Sequence, residues 1–341
     1  MRLPEWPRAW GEPPVVGIMR QSAADFVVEE QLGFEPDGSG EHCWLWVEKE
    51  DLNTADAAQR LARFSGLRER DISYSGLKDK RAIARQWFSL HVLNRDIDWR
   101  QWRDPALRVL RAVRHSRKLR RGTHRANNFE ITVRAIAGDT AALATRIDTC
   151  RARGVPNYFG EQRFGRDGRT LELACRAAAE CRRLPRQQAG LYFSALRSYL
   201  FNTVLARRVA EHTWNSALAG EVFMLDGSSS VFRQTFDAAL AARLDAGDIH
   251  LTGPLPGCPG ANPDDEVLQL EESVLREHGI LIDYLAAAKV EGARRALGLR
   301  PQNLRAEAIG DDDWRFAFSL PRGCFATALM RELVSYEVFA R

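Results

Sequence analysis

The sequence has no C-x-x-C pair. Its six cysteines, Cys43, Cys150, Cys175, Cys181, Cys258 and Cys324, are scattered along 341 residues. This spacing argues against both a zinc ribbon and a disulfide framework, and it fits reduced thiols in a cytoplasm. Its seven histidines form no H-E-x-x-H pattern, and neither a G-x-x-x-x-G-K-[ST] phosphate loop nor a G-x-G-x-x-G fingerprint is present. No metal and no nucleotide cofactor is indicated. There is no run of about 18 uncharged apolar residues, which a membrane-spanning helix needs. The first residues, "MRLPEWPRAWGEPP", lack the apolar core of a signal peptide. The chain is therefore expected to be soluble, cytoplasmic and not exported. No internal repeat or low-complexity tract is evident.

What is present is a large apolar fraction, 45%, which argues against disorder. A domain per roughly 100 to 200 residues suggests two domains. The net charge of +4 says little, but its distribution says more. From Arg108 to Arg125 there are eight Arg or Lys residues and no acid. From Asp264 to Glu277, Asp264, Asp265, Glu266, Glu271, Glu272 and Glu277 face the single Arg276. One cationic and one anionic surface should result. A basic stripe is the electrostatic footprint of nucleic acid, because each neutralised phosphate releases condensed counterions. A solvated face with scattered partners is the plainer alternative.

Hydrophobic periodicity organises the chain into two characters. "DFVVEE" (25–30) and "HCWLWVEKE" (42–50) alternate with period 2, and "LGFEPDGSGE" between them has hairpin turn chemistry, so the two are expected to be antiparallel strands. "NTADAAQRLARFSG" reads as a helix opened by Asn53 or Thr54 and closed at Gly66. "DISYS", "RQWFSLHVL" and "NNFEITVRAI" read as strands, and "DTAALATRIDTCRARG" as a helix ended by Gly154. From about 155 to 301 the pattern is mainly helical, with segments near 169–182, 189–212, 266–278 and 285–298 and strand signals only around "GEVFMLDG". Strands return at "LRAEAI" and "DWRFAFSLP", followed by a helix in "ATALMRELVSY". The fold class is therefore α+β: a discontinuous domain, 1–154 and 302–341, on a mixed, mainly antiparallel sheet, interrupted by a mainly helical domain, 155–301. A tandem of two domains is the alternative.

"SGLKDKRAIARQW" (75–87) sets one carboxylate, Asp79, between Lys78 and Lys80 on a loop between strands. Catalytic groups are often mounted on such loops. An exposed charged turn is the plain reading. A nucleophile or base acting on a polyanion is the other.

The order "DFVVEE", "GLKDKRAIARQW", "RKLRRGTHRANNF", "GVPNYFGEQRFG" and "PRGCFATALMRELV" resembles that of the tRNA pseudouridine synthases that modify uridine 13 of transfer RNA, the D-type enzymes. The resemblance spans nearly the whole chain, and its most specific pieces are the Asp79 motif and "NYFGEQRFG". Arg20 and Ala23 stand where the family's N-terminal motif usually has Lys and Pro. The resemblance implies a pseudouridine synthase core, circularly permuted, with a family-specific insertion. It implies Asp79 as the catalytic aspartate, and Phe26, Asn127 and Phe325 as residues that meet the substrate uridine. It also implies tRNA as partner, an isomerase without metal or other cofactor, and neither membrane nor obligate protein partner; a monomer is expected.

The chemistry suits these residue types. A carboxylate can attack the sugar, add to the uracil ring or remove a sugar proton, and the sequence does not choose among these. Each requires an ionised Asp79, which a nearby cation preserves. Lys78, Lys80, Arg85 or a more distant Arg are the candidates, although the two lysines are equally suited to phosphate. A flipped base is held by aromatic stacking and edge hydrogen bonds, for which Phe325 and Asn127 are suited. Alone, Phe325 and Phe26 read equally as core, and Asn127 as a turn cap. Arg20, Arg117, Lys118 and Arg163 complete the RNA-binding candidates. For Arg163 a buried salt bridge is the alternative, and Asn157, Phe159 and Gly160 can simply shape its loop. A metal-dependent nuclease would need clustered carboxylates, and Asp311, Asp312 and Asp313 are consecutive on a turn. A non-catalytic RNA-binding module or tRNA folding chaperone would need the basic stripe but not Asp79.

Overall fold

A computed structural model describes residues 3–93, 95–258 and 262–338, apart from the side chains at 186 and 187. Residues 339–341 of the expected first domain lie outside the described residues. The elements, in order, begin with strands β1 (Val15–Met19), β2 (Phe26–Gln31) and β3 (His42–Glu50), helix α1 (Thr54–Ser65), and strands β4 (Ile72–Tyr74), β5 (Ile83–His91), β6 (Leu107–His115) and β7 (Ala126–Gly138). Helix α2 (Thr140–Arg153) leads to β8 (Val155–Pro156), α3 (Arg169–Ala179) and α4 (Arg186–Ala210). Next come β9 (Val222–Leu225), β10 (Val231–Arg233), α5 (Ala238–Ala246), β11 (Ile249–Leu255), α6 (Asp265–Arg276), α7 (Gly279–Ala287), β12 (Ala293–Ala296) and β13 (Gly298–Leu299). The chain closes with β14 (Gln302–Ala308), β15 (Trp314–Pro321), α8 (Ala326–Leu333) and β16 (Ser335–Val338).

These elements form two compact units. The sheet unit comprises Pro14–Ile147, Pro301–Gly323 and Val334–Arg341; the helical unit comprises Met1–Pro13, Asp148–Arg300 and Cys324–Leu333.

The sheet unit is built on ten strands, with the path β14-β15-β7-β2-β5-β3-β6, β1 joining β7 and β16, and β4 joining β5. The β1–β16 and β2–β5 pairs are parallel and the others antiparallel, so the sheet is mixed and the unit is α+β. Period-2 patterning places Cys43, Leu45 and Val47 on one face, where α1 covers them with Ala57, Ala58, Leu61 and Ala62. Helix α1 stops where Gly66 takes φ 64, a left-handed conformation that costs glycine nothing. Trp44 and Trp87 pack on the opposite face with Leu119.

One expected pairing does not form. Strands β2 and β3 are not a hairpin, because β5 lies between them, parallel to β2 and antiparallel to β3. The connector is long enough to step over one strand, and its polar atoms bond elsewhere: Gly38 N–H donates to the Arg114 carbonyl and Ser116 N–H to Asp37. Turn-forming residues fix a bend, not the neighbour reached after it.

The helical unit packs α3 and α4 around Phe164, Leu171, Leu196, Leu200, Phe201 and Leu205. Beside them lie a four-stranded sheet, β10-β9-β11-β12, and the short β13-β8 pair. The expected helix over 285–298 is not found: α7 ends at Ala287, and Ala293–Ala296 pairs with β11. Alanine and arginine favour helix intrinsically, but Gly292 N–H bonds to the Cys258 carbonyl and commits the chain to the sheet. Likewise "VSY" leaves α8 at Leu333 and enters β16 beside β1. Among the described residues no helix is long and apolar enough to cross a membrane.

Candidate active site

Asp79 lies in the sheet unit on the loop between β4 and β5, and side chains from two strands and helix α1 fix that loop. Thr54 Oγ1 accepts from Lys78 N–H at 3.0 Å, and Gln86 Nε2 donates to the Gly76 carbonyl at 3.1 Å. Lys49 Nζ, from β3, donates to the Asp79 carbonyl at 2.7 Å. The Asp79 carboxylate accepts from Arg20 Nη2 at 2.6 Å and keeps 24% of its side chain exposed, enough for a ligand to reach it. Arg20 therefore fills the place that sequence reasoning left open among Lys78, Lys80, Arg85 and a distant arginine. Its backbone is left-handed, φ 60, an uncommon conformation for a side-chain-bearing residue. Its guanidinium lies 3.9 Å above the Phe26 ring, and its carbonyl accepts from Arg81 Nη2.

The two lysines flanking Asp79 take separate roles. Lys80 is exposed. Lys78 turns inward, its Nζ 2.6 Å from the buried Glu30 carboxylate. Burial pushes the Glu30 carboxyl up, and Lys78 opposes that shift. Arg85 instead bridges Glu29 and Glu48. Behind Glu30, burial first and then the charges of Lys78 and Arg322 bring His124 down to about 4. Its neutral ring shares a 2.5 Å hydrogen bond with Ser75 Oγ.

Phe26 is buried and meets Phe129 edge-on, with ring centroids 6.1 Å apart, while the Arg20 guanidinium covers its ring. Asn127, the second residue of β7, lies opposite Glu30 of β2 and Leu320 of β15. It is buried, and its Oδ1 has no hydrogen-bond partner among the described residues. Arg117 and Lys118 are exposed and have no ion-pair partner among the described residues. In the same basic stretch, Arg108, Arg111 and Arg114 are held by Glu48, Glu35 and Asp96.

Phe325 and Arg163 belong to the helical unit, where they meet each other. The Arg163 guanidinium lies 5.2 Å from the Phe159 ring and 5.8 Å from that of Phe325, and the two rings pack edge to face at 5.8 Å. Arg163 forms no salt bridge among the described residues. Its Nη1 donates to Ser194 Oγ, its Nε is buried without a partner among the described residues, and burial lowers its pKa. The loop is fixed from below by Asn202, which bonds both the N–H and the carbonyl of Phe159. Arg295, which burial lowers to about 10, donates to Asn157 Oδ1 at 2.6 Å. At Gly160 an added Cβ would stand 2.7 Å from Thr327 Oγ1, so that side chain would have to shift.

The family model for tRNA pseudouridine synthase D matches residues 7–176 and 169–333. The chain belongs to that family. Among its relatives, a tRNA pseudouridine synthase D from Pseudomonas putida is 45% identical over 96% of this chain and 94% of the relative. One from Chromohalobacter salexigens is 43% identical, covering 98% and 97%. A solved structure of a protein from Methanosarcina mazei assigned to tRNA pseudouridine synthase D superposes with a TM-score of 0.72, covering 97% of this chain and 96% of that one, at 23% identity. It supports the α+β fold.

Sequence reasoning missed Lys49, Glu30, Ser75 and His124. For Lys49 a signal existed: it stands on the same period-2 phase as Leu45 and Val47, which is the core phase. Glu30 carried the same signal, on the phase of Phe26 and Val28, whereas Ser75 and His124 gave none, because their pairing joins residues 49 positions apart.

Proposed function

We propose that this chain isomerises uridine 13 of a transfer RNA to pseudouridine, with Asp79 as the catalytic carboxylate. The bond from the sugar C1′ to uracil N1 breaks, the base rotates, and C1′ joins C5, whose hydrogen leaves as a proton while N1 takes one up. No atoms or electrons are gained, so the reaction as written calls for neither a nucleotide nor a redox partner. Asp79 attacks the sugar, adds to the ring or removes a sugar proton; the assignment holds for each of these routes. Phe26, Asn127 and Phe325 are assigned to the uridine, the last as a stacking ring. Lys80, Arg117, Lys118 and Arg163 are assigned to phosphates. Lys78, committed to Glu30, acts through the loop instead. In this reading residues 1–154 and 302–341 are the permuted catalytic core, residues 155–301 are the family-specific insertion, and the enzyme is a cytoplasmic monomer without a metal, other cofactor or protein partner.

The observation that carries the reading is the Asp79–Arg20 pair: a carboxylate held by a cation at 2.6 Å, accessible, on a loop pinned by Lys49, Thr54 and Gln86. The names borne by the relatives support it. The test is Asp79→Asn, which keeps size and removes charge. Pseudouridine at position 13 of a tRNA transcript should become undetectable while tRNA affinity stays close to wild type. Turnover by the Asn variant, once deamidation is excluded, would overturn the assignment, and modification at another uridine alone would overturn the position.

A further inference from the structure

Lys49 is fully buried. Lysine is almost never so unless it is paired, yet the acceptor it reaches at 2.7 Å is a main-chain oxygen, that of Asp79. Its cross-strand neighbours, Ala84 of β5 and Leu107 of β6, carry no charge. Glu48, next along the strand, faces the other way and is held by Arg85 and Arg108. The charges acting on the ammonium are Asp79 and Asp51, which favour it, and Lys78, which opposes it. An apolar side chain would fill this space without the cost of burying a charge. The arrangement places a cation beneath the one loop residue to which the reaction is assigned.

We propose that Lys49 is a positioning residue whose buried ammonium fixes the main chain at Asp79, so that the carboxylate meets the substrate at a constant place. This rests on the assignment of Asp79 as the reacting group. A charged donor makes a hydrogen bond roughly twice as strong as a neutral one, so the clamp depends on the proton as well as on the contact. Burial, only partly offset by Asp79, brings Lys49 from the usual 10.5 to about 8. Between those values the unfolded chain holds the proton and the folded chain sheds it. The stability contributed by this group therefore rises with pH across that window while the clamp weakens. Activity and stability should move in opposite directions, which a merely structural lysine would not produce.

The experiment measures single-turnover rate, tRNA affinity and melting temperature of the full chain as wild type, Lys49→Met, Lys49→Arg and Asp79→Asn on one tRNA transcript. Lys49→Met should lose about ten- to a hundredfold in rate, the scale of a misplaced catalytic group, with affinity and melting temperature close to wild type. Wild-type rate should fall above a pH of about 8 without a matching fall in melting temperature. Lys49→Arg, charged throughout, should keep more rate than Lys49→Met and lose that alkaline limb. A normal rate for Lys49→Met beside an inactive Asp79→Asn would overturn the inference and leave the site standing. An active Asp79→Asn would instead overturn the site. If Lys49→Met does not fold, the wild-type profile decides: a flat rate through the window removes the clamp.

Discussion

Asn127 holds a buried amide whose Oδ1 has no partner among the described residues. Such an atom costs about 1 to 3 kcal/mol of folding free energy, and the cost is recovered when a ligand supplies a donor. Uracil N3–H is such a donor. Asn127→Leu keeps roughly the volume and removes the orphan, so it should leave thermal stability unchanged or raised while lowering kcat/KM for tRNA. A fall in stability with unchanged turnover would return Asn127 to a structural role. The same residue shows what local pattern can say. In sequence Asn127 is one of two adjacent asparagines at the start of a strand, compatible with a turn cap. Only the register of β7 against β2 and β15 reveals that its side chain is enclosed, and that register depends on segments almost 200 residues apart. Asp79 was easier to single out, because a lone acid among cations is anomalous within a few residues. Its partner Arg20 was not, since 59 positions separate them.

Strands and helices were legible wherever one face meets a core along their whole length. The α1 pattern and the alternation in β3 follow that rule. Segment 285–298 fails it, because the chain there obeys a tertiary contact stronger than its helix propensity. The distinction can be tested at Gly292. In a helix interior, Gly→Ala is worth about 1 kcal/mol in favour of alanine. Here an added Cβ would stand 2.5 Å from the Cys258 carbonyl oxygen, and the main chain on both sides is bonded. Gly292→Ala should therefore destabilise the protein, by about 1 to 3 kcal/mol on the scale of overpacked sites. Chemical denaturation measures it, and an unchanged or raised midpoint would mean that this stretch does not hold the edge seen beside β11.

At the scale of the whole molecule, net charge and affinity for a polyanion separate. The chain carries only +4, and the structure divides its basic stretch into two classes that composition alone does not distinguish. Arg108, Arg111 and Arg114 extend from β6 toward acids contributed by distant segments, so much of their charge is already answered. Arg117 and Lys118 follow β6 on a segment anchored by buried Leu119 and by the bond from Trp44 Nε1 to the Arg117 carbonyl, which leaves both cations in solvent. Phosphate binding should draw on the second class. Arg117→Ala with Lys118→Ala should weaken tRNA binding at low salt and reduce the slope of log K against log salt by somewhat under 1 per residue lost. Arg108→Ala with Arg111→Ala removes the same formal charge but frees Glu48 and Glu35 of these partners, and it should change that slope less. Both double variants alter net charge equally, so a general field effect would shift them together. Equal slopes in the two would assign binding to overall charge, whereas a larger change for Arg117 and Lys118 would place the phosphate contacts on the exposed segment after β6.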